Sequence, residues 1–542
     1  MDWNCTQLPY DNTGYFSKII RDYINESSDL SGFYSHAVNL NGIADAISAR
    51  EAFPTNRNLL VGELVKQYSG VITSKAVTDN ISLLAKENTF TLCTAHQPVI
   101  FTGTLYFIYK ILHIIKLAET FKEQFPDKNF VPVFYMGSED ADLDELGKLY
   151  MGTEKLTWDA GQKGAVGRMH TKGLATIIDR LEGEISIHPY GKQLIQLFRN
   201  TYLKSADLQT ATFKLLNELF KDFGLVVLVP DNALLKRVML PVFEDDLFHQ
   251  TPSKIVAEST KRLEAHYKVQ ANPRSINLFY LKDDIRELIS FNGQDFEVRH
   301  TDLKFSPEEM RVELQEYPER FSPNVILRGL FQEQILPNIA FIGGGGETAY
   351  WLELRGLFEH YKTPFPVLVL RNSFLMIEKK WGQKLAKLGI SESQIFQPEH
   401  VLMENLVKAR SGKQLMLDSE LKALEEVYNE IQLVSADVDP TLLKHVGALK
   451  TRASKAVKIL EKKLLRAEKR KFADQFRQLQ QIKAALFPLD GLQERIDNFI
   501  PWYARYGSEF FNTVYENSLG LEQQFVVLSE PVGVEVNAEI KN

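Results

Sequence analysis

The chain has 542 residues, 44% apolar and 25% charged, with 63 Lys and Arg against 70 Asp and Glu for a formal net charge of −7. That length exceeds what one hydrophobic core organises, so several domains are expected, and the ordinary apolar and charged fractions exclude disorder for the bulk of the chain. The acidic excess opposes nucleic-acid binding, and two cysteines, Cys5 and Cys93, provide neither a disulfide framework nor a Cys-x-x-Cys metal or redox pair.

The first residues lack a basic segment followed by an apolar one, so no secretory signal is read there. No apolar run approaches the ~20 residues of a membrane span. A cytoplasmic protein with neither a nucleic-acid nor a membrane partner is expected.

Five short apolar runs have the length and β-branched content of buried strands: Thr91–Ala95, Phe130–Met136, Leu225–Val229, Ile339–Ile342 and Pro366–Leu370. Continuous apolarity suits a parallel sheet covered on both faces. Tyr106, Tyr109, Leu112, Ile115, Leu117 and Phe121 mark a helix after the first strand. Thr212, Leu215, Leu216, Leu219 and Phe220 mark another before the third. This alternation predicts a doubly wound α/β core. The long gaps between the second, third and fourth strands predict inserted subdomains. Thr157–His170 is turn-rich and is expected to be irregular or β, and Asn272–Leu281 reads as a strand.

Beyond Leu417 the pattern changes to apolar residues at three- and four-residue intervals. The run breaks at Asp439-Pro440, resumes at Leu449 and slips phase before Phe472. Two such stripes around a proline-marked turn predict a long antiparallel helical hairpin. Its second arm outruns its first, which predicts cover from a partner subunit and hence a homodimer.

Four of the five strands end in polar or glycine-rich segments, as a crevice site at strand carboxyl ends requires. The first runs into His96, Gln97, Thr102 and Gly103, then a helix with Tyr106 and Lys110, a candidate anion site whose plain alternative is an ordinary tight turn. The second ends in Glu139, Asp140 and Asp142, carboxylates suited to a substrate amine or to Mg²⁺, the alternative being an acidic helix start on the surface. The fourth ends in four glycines from Gly343 and Gly344 onward, with Glu347 and Tyr350 close behind; glycines let backbone approach a ligand and can take positive φ. The fifth ends in Arg371 and Ser373, suited to a phosphate or carboxylate. Neither a dinucleotide fingerprint nor a P-loop is present. His113 reads as a core histidine and the Lys-Arg clusters near Lys462 and Arg470 as a solvated helix face, and no zinc-like spacing occurs, so no metal ligand is assigned.

These segments resemble the bacillithiol biosynthesis cysteine-adding family. The resemblance is carried by His96-Gln97 through Lys110, by Pro132 through Asp142, and by Ser322-Pro323-Asn324-Val325 with Arg328, Gln332-Glu333 and Gly343 through Trp351. Asn272 through Phe279 and Gln493 through Gly507 add to it, in preserved order. Two positions depart from the family pattern: Ala141 stands where a histidine is usual, and His96 stands in a segment that usually begins Gly-Gln-Gln.

The resemblance implies a Rossmann-like core with two connecting insertions and a coiled-coil dimerisation element. It implies a ligase that adds cysteine to the amine of glucosaminyl-malate, or makes a close relative of that thiol, and a nucleotide site for ATP or ADP. Activation of the carboxylate follows from the chemistry of condensation, not from a motif; Mg²⁺ is compatible with the carboxylate cluster, and no tightly bound cofactor is expected. His96, Asp140 and Asp142 are the candidate acid–base residues. Gln97, Thr102, Gly103, Tyr106, Lys110, Glu139, Asn324, Arg328, Gly343, Gly344, Glu347, Tyr350, Arg371 and Ser373 are the candidate substrate-binding residues. Asn498, Trp502, Tyr503 and Tyr506 form a candidate adenine platform, the alternative being aromatics that pack the hairpin base onto the core. Another ATP-dependent amide ligase or nucleotidyltransferase-like enzyme, and a non-catalytic coiled-coil scaffold, are the competing classes. The expected division assigns 1–150, 211–231 and 324–395 to the core, 151–210 and 232–323 to the insertions, and 396–542 to the coiled coil and tail.

Overall fold

The computed structural model describes residues 3–152, 154–411 and 415–531. In chain order the strands are β1 (Asn4–Leu8), β2 (Thr89–His96), β3 (Asn129–Met136), β4 (Lys148–Met151), β5 (Glu154–Thr157), β6 (Val226–Leu228), β7 (Leu278–Lys282) and β8 (Ile285–Phe291). They continue with β9 (Phe296–Val298), β10 (Lys304–Phe305), β11 (Phe321–Pro323), β12 (Asn338–Gly343), β13 (Val367–Leu370), β14 (Ser373–Ile377) and β15 (Phe525–Ser529).

The five apolar runs of the sequence form one parallel sheet in the order β6-β3-β2-β12-β13. Numbered along the chain this is 3-2-1-4-5, the Rossmann order, whose switch point falls between β2 and β12. The helix Leu105–Gln124 crosses from β2 to β3 with nearly every apolar side chain buried. At the outer edge, Gln67 bonds both Val227 O and Val229 N, at 2.8 and 2.9 Å, and the Tyr68 hydroxyl accepts from Val227 N at 2.8 Å. Side chains thus close an edge that would otherwise present open backbone groups.

The first insertion opens with the β4–β5 hairpin and an irregular stretch, as its turn-rich sequence predicts. It continues as two amphipathic helices, Leu174–Ile185 and Gly191–Tyr202, which the sequence reading did not place. The second insertion carries the antiparallel sheet β10-β9-β8-β7-β11. It is fastened to the core by Glu353, a buried carboxylate that accepts from Gln270 N, Ala271 N and Thr260 Oγ1 at 2.9 to 3.1 Å.

The helical hairpin consists of Asp418–Val438 and Leu442–Lys469. Its turn is capped by Asp439, which accepts from Thr441 N at 2.9 Å. The phase slip appears as a 3₁₀ turn, Arg470–Phe472, before the helix Ala473–Leu486. Part of the surplus length of the second arm is covered from within the chain, where Lys379–Leu388 and Glu399–Arg410 pack on it, while Ile459, Leu460 and Leu464 stay exposed. Toward the hairpin tip the apolar stripe stays open: Leu433, Val434 and Val438 are 74%, 68% and 76% exposed.

A third sheet, β1-β15-β14, is absent from the sequence reading. The segment after the hairpin returns to the core and inserts β15 between β14, parallel, and β1, antiparallel. Among the described residues no helix is long and apolar enough to cross a membrane.

Candidate active site

The parallel strands end at a cavity of about 380 Å³ lined by the loops after β2, β3, β12 and β13 and by the second insertion. This is the crevice that an α/β sheet opens at its switch point, with a volume in the range of small-molecule sites. Of the sequence candidates, His96, Gln97, Tyr106, Lys110, Glu139, Asp140, Asn324, Arg328, Gly344, Glu347, Tyr350 and Arg371 line it.

The β2 end is set by His96 and Lys110. His96 Nδ1 lies 3.0 Å from the Gln97 carbonyl oxygen, which only accepts, so Nδ1 carries the proton and Nε2 accepts from the Tyr106 hydroxyl at 3.0 Å. Burial, reinforced by the Lys110 charge, lowers the His96 pKa to about 4, so the imidazole is neutral near pH 7. Lys110 is 1% exposed, donates to the Ala95 carbonyl at 3.0 Å and pairs with Glu347. Burial lowers the lysine's pKa and would raise that of Glu347, but for Glu347 the lysine charge prevails and the carboxyl stays below its ordinary value.

The β3 end is acidic. Asp140 Oδ2 accepts from Gln97 Nε2 at 3.1 Å, and its Oδ1 from Ala141 N at 2.7 Å. Its backbone is held by the first insertion, with Val166 N donating to Asp140 O at 2.7 Å. Glu139 pairs with Lys236, a fully buried lysine that also donates to Glu319 O at 3.0 Å. Burial raises the Glu139 pKa against that pairing. Beside it Asp231 is clasped by Arg168 through two contacts of 2.7 Å.

At the β12 and β13 ends, Arg328 donates to the Tyr350 hydroxyl at 2.6 Å. Arg371 makes a two-point contact with buried Glu494 at 2.9 and 2.7 Å and also donates to Ser373 Oγ at 3.2 Å. Asn324 is positioned from the second insertion: it donates to Asn277 Oδ1 at 3.0 Å, and Asn277 in turn donates to buried Asp246 at 2.6 and 2.9 Å.

The geometry corrects several sequence expectations. Thr102 and Gly103 lie outside the cavity, and the N-terminus of the following helix is closed, because Leu105 N donates to Asp497 O at 2.7 Å. Their left-handed backbone (φ 65° and 62°) shapes a buried turn instead of an anion cradle. Gly343 does not line the cavity, and none of Gly343 to Gly346 has positive φ. Gly343 is needed for packing: a Cβ there would meet the Phe341 ring at 2.9 Å and Glu347 Cβ at 3.0 Å. Asp142 is exposed and caps a short helix by accepting from Glu145 N at 2.9 Å, and Ser373 serves Arg371 from behind.

Asn498, Trp502, Tyr503 and Tyr506 lie apart from the cavity. Asn498 donates to Tyr150 O at 2.6 Å, and Trp502, 4% exposed, lies nearly parallel to Tyr506 and Phe510, with centroids 6.3 and 6.0 Å away. Tyr503 packs on Phe499 and Phe511. This arrangement leaves no free ring face at Trp502 for an adenine.

The cavity also holds residues that the sequence reading missed. Ser138 is fully buried and its hydroxyl has no partner among the described residues. Arg286 comes from β8, 4.0 Å from Asp140, and Arg495 comes from beyond the hairpin. Ser138 adjoins the acidic motif and Arg495 lies in a segment already marked by resemblance, so both had a local signal. Arg286 had none.

Comparison with known families matches residues 1–372 to "Bacillithiol biosynthesis BshC, N-terminal Rossmann-like domain" and residues 374–530 to "Bacillithiol biosynthesis BshC, C-terminal coiled-coil domain". Curated relatives named "Putative cysteine ligase BshC" are 37% identical over 524 residues in Flavobacterium johnsoniae, covering 96% of this chain and 99% of that one. The counterpart in Christiangramia forsetii is 36% identical over 536 residues, 98% and 99% of the two chains. A solved structure titled as a "putative arginyl t-RNA synthetase" from Campylobacter jejuni aligns over 85% of this chain and 97% of its own, at 9% identity and a TM-score of 0.25, which bears on neither fold nor chemistry.

Proposed function

The chain belongs to the BshC family of bacillithiol biosynthesis, and on that footing we propose that it is a cysteine ligase joining the cysteine carboxyl group to the glucosamine amine of glucosaminyl-malate. The observation that carries this reading is the placement of carboxylates at the β3 end of the cavity, where Arg286 and Lys236 offset them in part, and of guanidiniums at the β13 end. Glu139, Asp140 and Glu145 follow β3, whereas Arg371 follows β13, three strand spacings or about 14 Å away. An acceptor with an amine at one end and carboxylates at the other complements that arrangement.

A free carboxylate is a poor electrophile, so the reading assigns activation to ATP as a co-substrate. The cysteine carboxylate attacks the α-phosphorus and pyrophosphate leaves. The acceptor nitrogen then attacks the acyl carbon, the C–N bond forms, the bond to AMP breaks, and an amine proton passes to a base. Asp140, oriented by Gln97, is assigned as that base. Lys110 and Arg328 are assigned to stabilising oxyanion charge, and Glu139, Asn324, Gly344, Glu347, Tyr350 and Arg371 to holding the substrates. His96, with its Nε2 already occupied by Tyr106, acts through that phenol rather than on the substrate. Asp142, Thr102, Gly103, Gly343 and Ser373 support these residues from outside the cavity. Among the described residues no group of three or more His, Cys, Asp or Glu is placed to hold a metal ion. The proposal therefore puts Mg²⁺ on the nucleotide phosphates and assigns no step to a protein-held metal. The open stripe at the hairpin tip supports pairing with a second copy of the chain.

The test is mass-spectrometric detection of product from purified protein, cysteine and glucosaminyl-malate, with and without ATP and Mg²⁺. Nucleotide-dependent product that disappears in Asp140→Ala is the expected result. Product formed equally by Asp140→Ala, or no product from folded wild-type protein, overturns the reading.

A further inference from the structure

Two guanidinium groups meet at the β13 end of the cavity although they come from different parts of the chain. Arg371 stands at the carboxyl end of β13 and is 3% exposed. Its terminal nitrogens are used by Glu494, Asn372 O and Ser373, but its Nε has no partner among the described residues. That Nε is buried beside Gly344, where a Cβ would stand 3.5 Å from it, so no side chain of residue 344 packs against this edge of the guanidinium.

Arg495 follows Glu494 in the segment Gln493–Arg495, after the helical hairpin. That segment is fixed: Glu494 also accepts from Phe374 N at 3.2 Å, and Gln493 bonds both Met376 N and Met376 O, at 2.9 and 3.2 Å, like an added strand residue. With its neighbours held, Arg495 sends its side chain to the cavity, where it has neither an ion pair nor a side-chain hydrogen bond among the described residues. Arg495 stays exposed to solvent at the cavity, and partial burial of its guanidinium together with the adjacent Arg371 charge lowers its pKa against the pull of Glu494. Glu494 balances one of the two guanidinium charges, which leaves a net positive charge for a ligand.

We propose that Arg495 and Arg371 together form a binding subsite for an oxyanion of the substrate, so that the segment following the helical hairpin completes the active site. The proposal rests on the reading of this cavity as the substrate site. The ligand is a planar or tetrahedral oxyanion small enough to bridge two guanidiniums, which suits a carboxylate of the acceptor or a phosphate of the nucleotide alike. Among the described residues Arg495 has no side-chain partner to lose, so its replacement is expected to leave the fold intact.

Isothermal titration of the full chain, without turnover, separates the sources. L-malate and inorganic pyrophosphate are titrated into wild type, Arg495→Gln and Arg495→Lys, with thermal melting as a check of fold. A tenfold or greater loss of malate affinity in Arg495→Gln, with partial recovery in Arg495→Lys and pyrophosphate unchanged, assigns the subsite to the acceptor carboxylate. The same pattern with pyrophosphate assigns it to the nucleotide. If wild type binds neither probe, or if Arg495→Gln binds both as wild type does, the subsite is overturned. That result is independent of product formation, so it is distinguishable from failure of the ligase reading.

Discussion

Lys110 and Glu347 pair across the ends of β2 and β12, and they share their burial unequally: the lysine side chain is 1% exposed, the glutamate 24%. Removing one partner of a buried pair leaves the other charge stranded, at about 3–5 kcal/mol when that charge has no access to water. Glu347→Gln strands the inaccessible lysine, whereas Lys110→Met leaves a carboxylate that reaches solvent and still accepts from Gly344 N at 2.8 Å. Glu347→Gln is therefore the more destabilising change, and thermal unfolding of the two variants checks the order.

Acid sensitivity follows from His113. It is fully buried in the helix Leu105–Gln124, with Nδ1 accepting from Asn372 N at 3.1 Å and Nε2–H donating to Gly520 O at 3.0 Å. Burial lowers its pKa from 6.5 to about 4. The unfolded chain thus takes up this proton first as pH falls. The stability His113 contributes is complete above pH 6.5 and is lost as pH drops through 4, on the order of 3 kcal/mol. His96 shifts in the same direction and adds to the loss. Melting temperatures from pH 7.5 to 4.5 should fall less steeply in His113→Asn than in wild type.

Asp140 and Asp142 look alike in sequence, yet only the first lines the cavity. Asp140→Asn keeps the shape and the bond from Ala141 N while removing the base, so kcat/KM should fall by about 10²–10⁴-fold with an unchanged melting temperature. Asp142→Asn should leave kcat/KM close to wild type. Steady-state kinetics of the pair decide the assignment.

At the hairpin tip, Leu433, Val434 and Val438 offer an apolar stripe without a covering element among the described residues. Charges placed there should oppose self-association without touching the core. On the proposed pairing of two copies through this stripe, wild type is expected to sediment as a dimer and Leu433→Glu with Val434→Glu as a monomer, at unchanged helix content.

The sheet was legible because its strands are buried on both faces, so each appears as an unbroken apolar run such as Phe130–Met136. The polar residues that end those runs were legible for the same reason, and most of them do converge. What escaped was set by distant partners. Nothing near Thr102 reveals that Asp497 closes the following helix, and nothing near Arg286 reveals that β8 brings it to Asp140. The short strands β14 and β15 are apolar in sequence, but their pairing joins segments on either side of the hairpin, a contact that no local pattern encodes. Trp502 resembles a stacking platform by composition alone; it is buried against Tyr506 and Phe510.

The return of the chain after the hairpin also sets an order of assembly. A growing polypeptide finishes all five strands of the parallel sheet at Leu370, but Arg371 must then wait through 123 further residues for the carboxylate that holds it. Strand β14 likewise stays without its neighbour until Phe525–Ser529 has been made. Translation thus produces the scaffold well before the chemistry, and a product truncated within the hairpin is expected to retain the sheet while lacking a formed site.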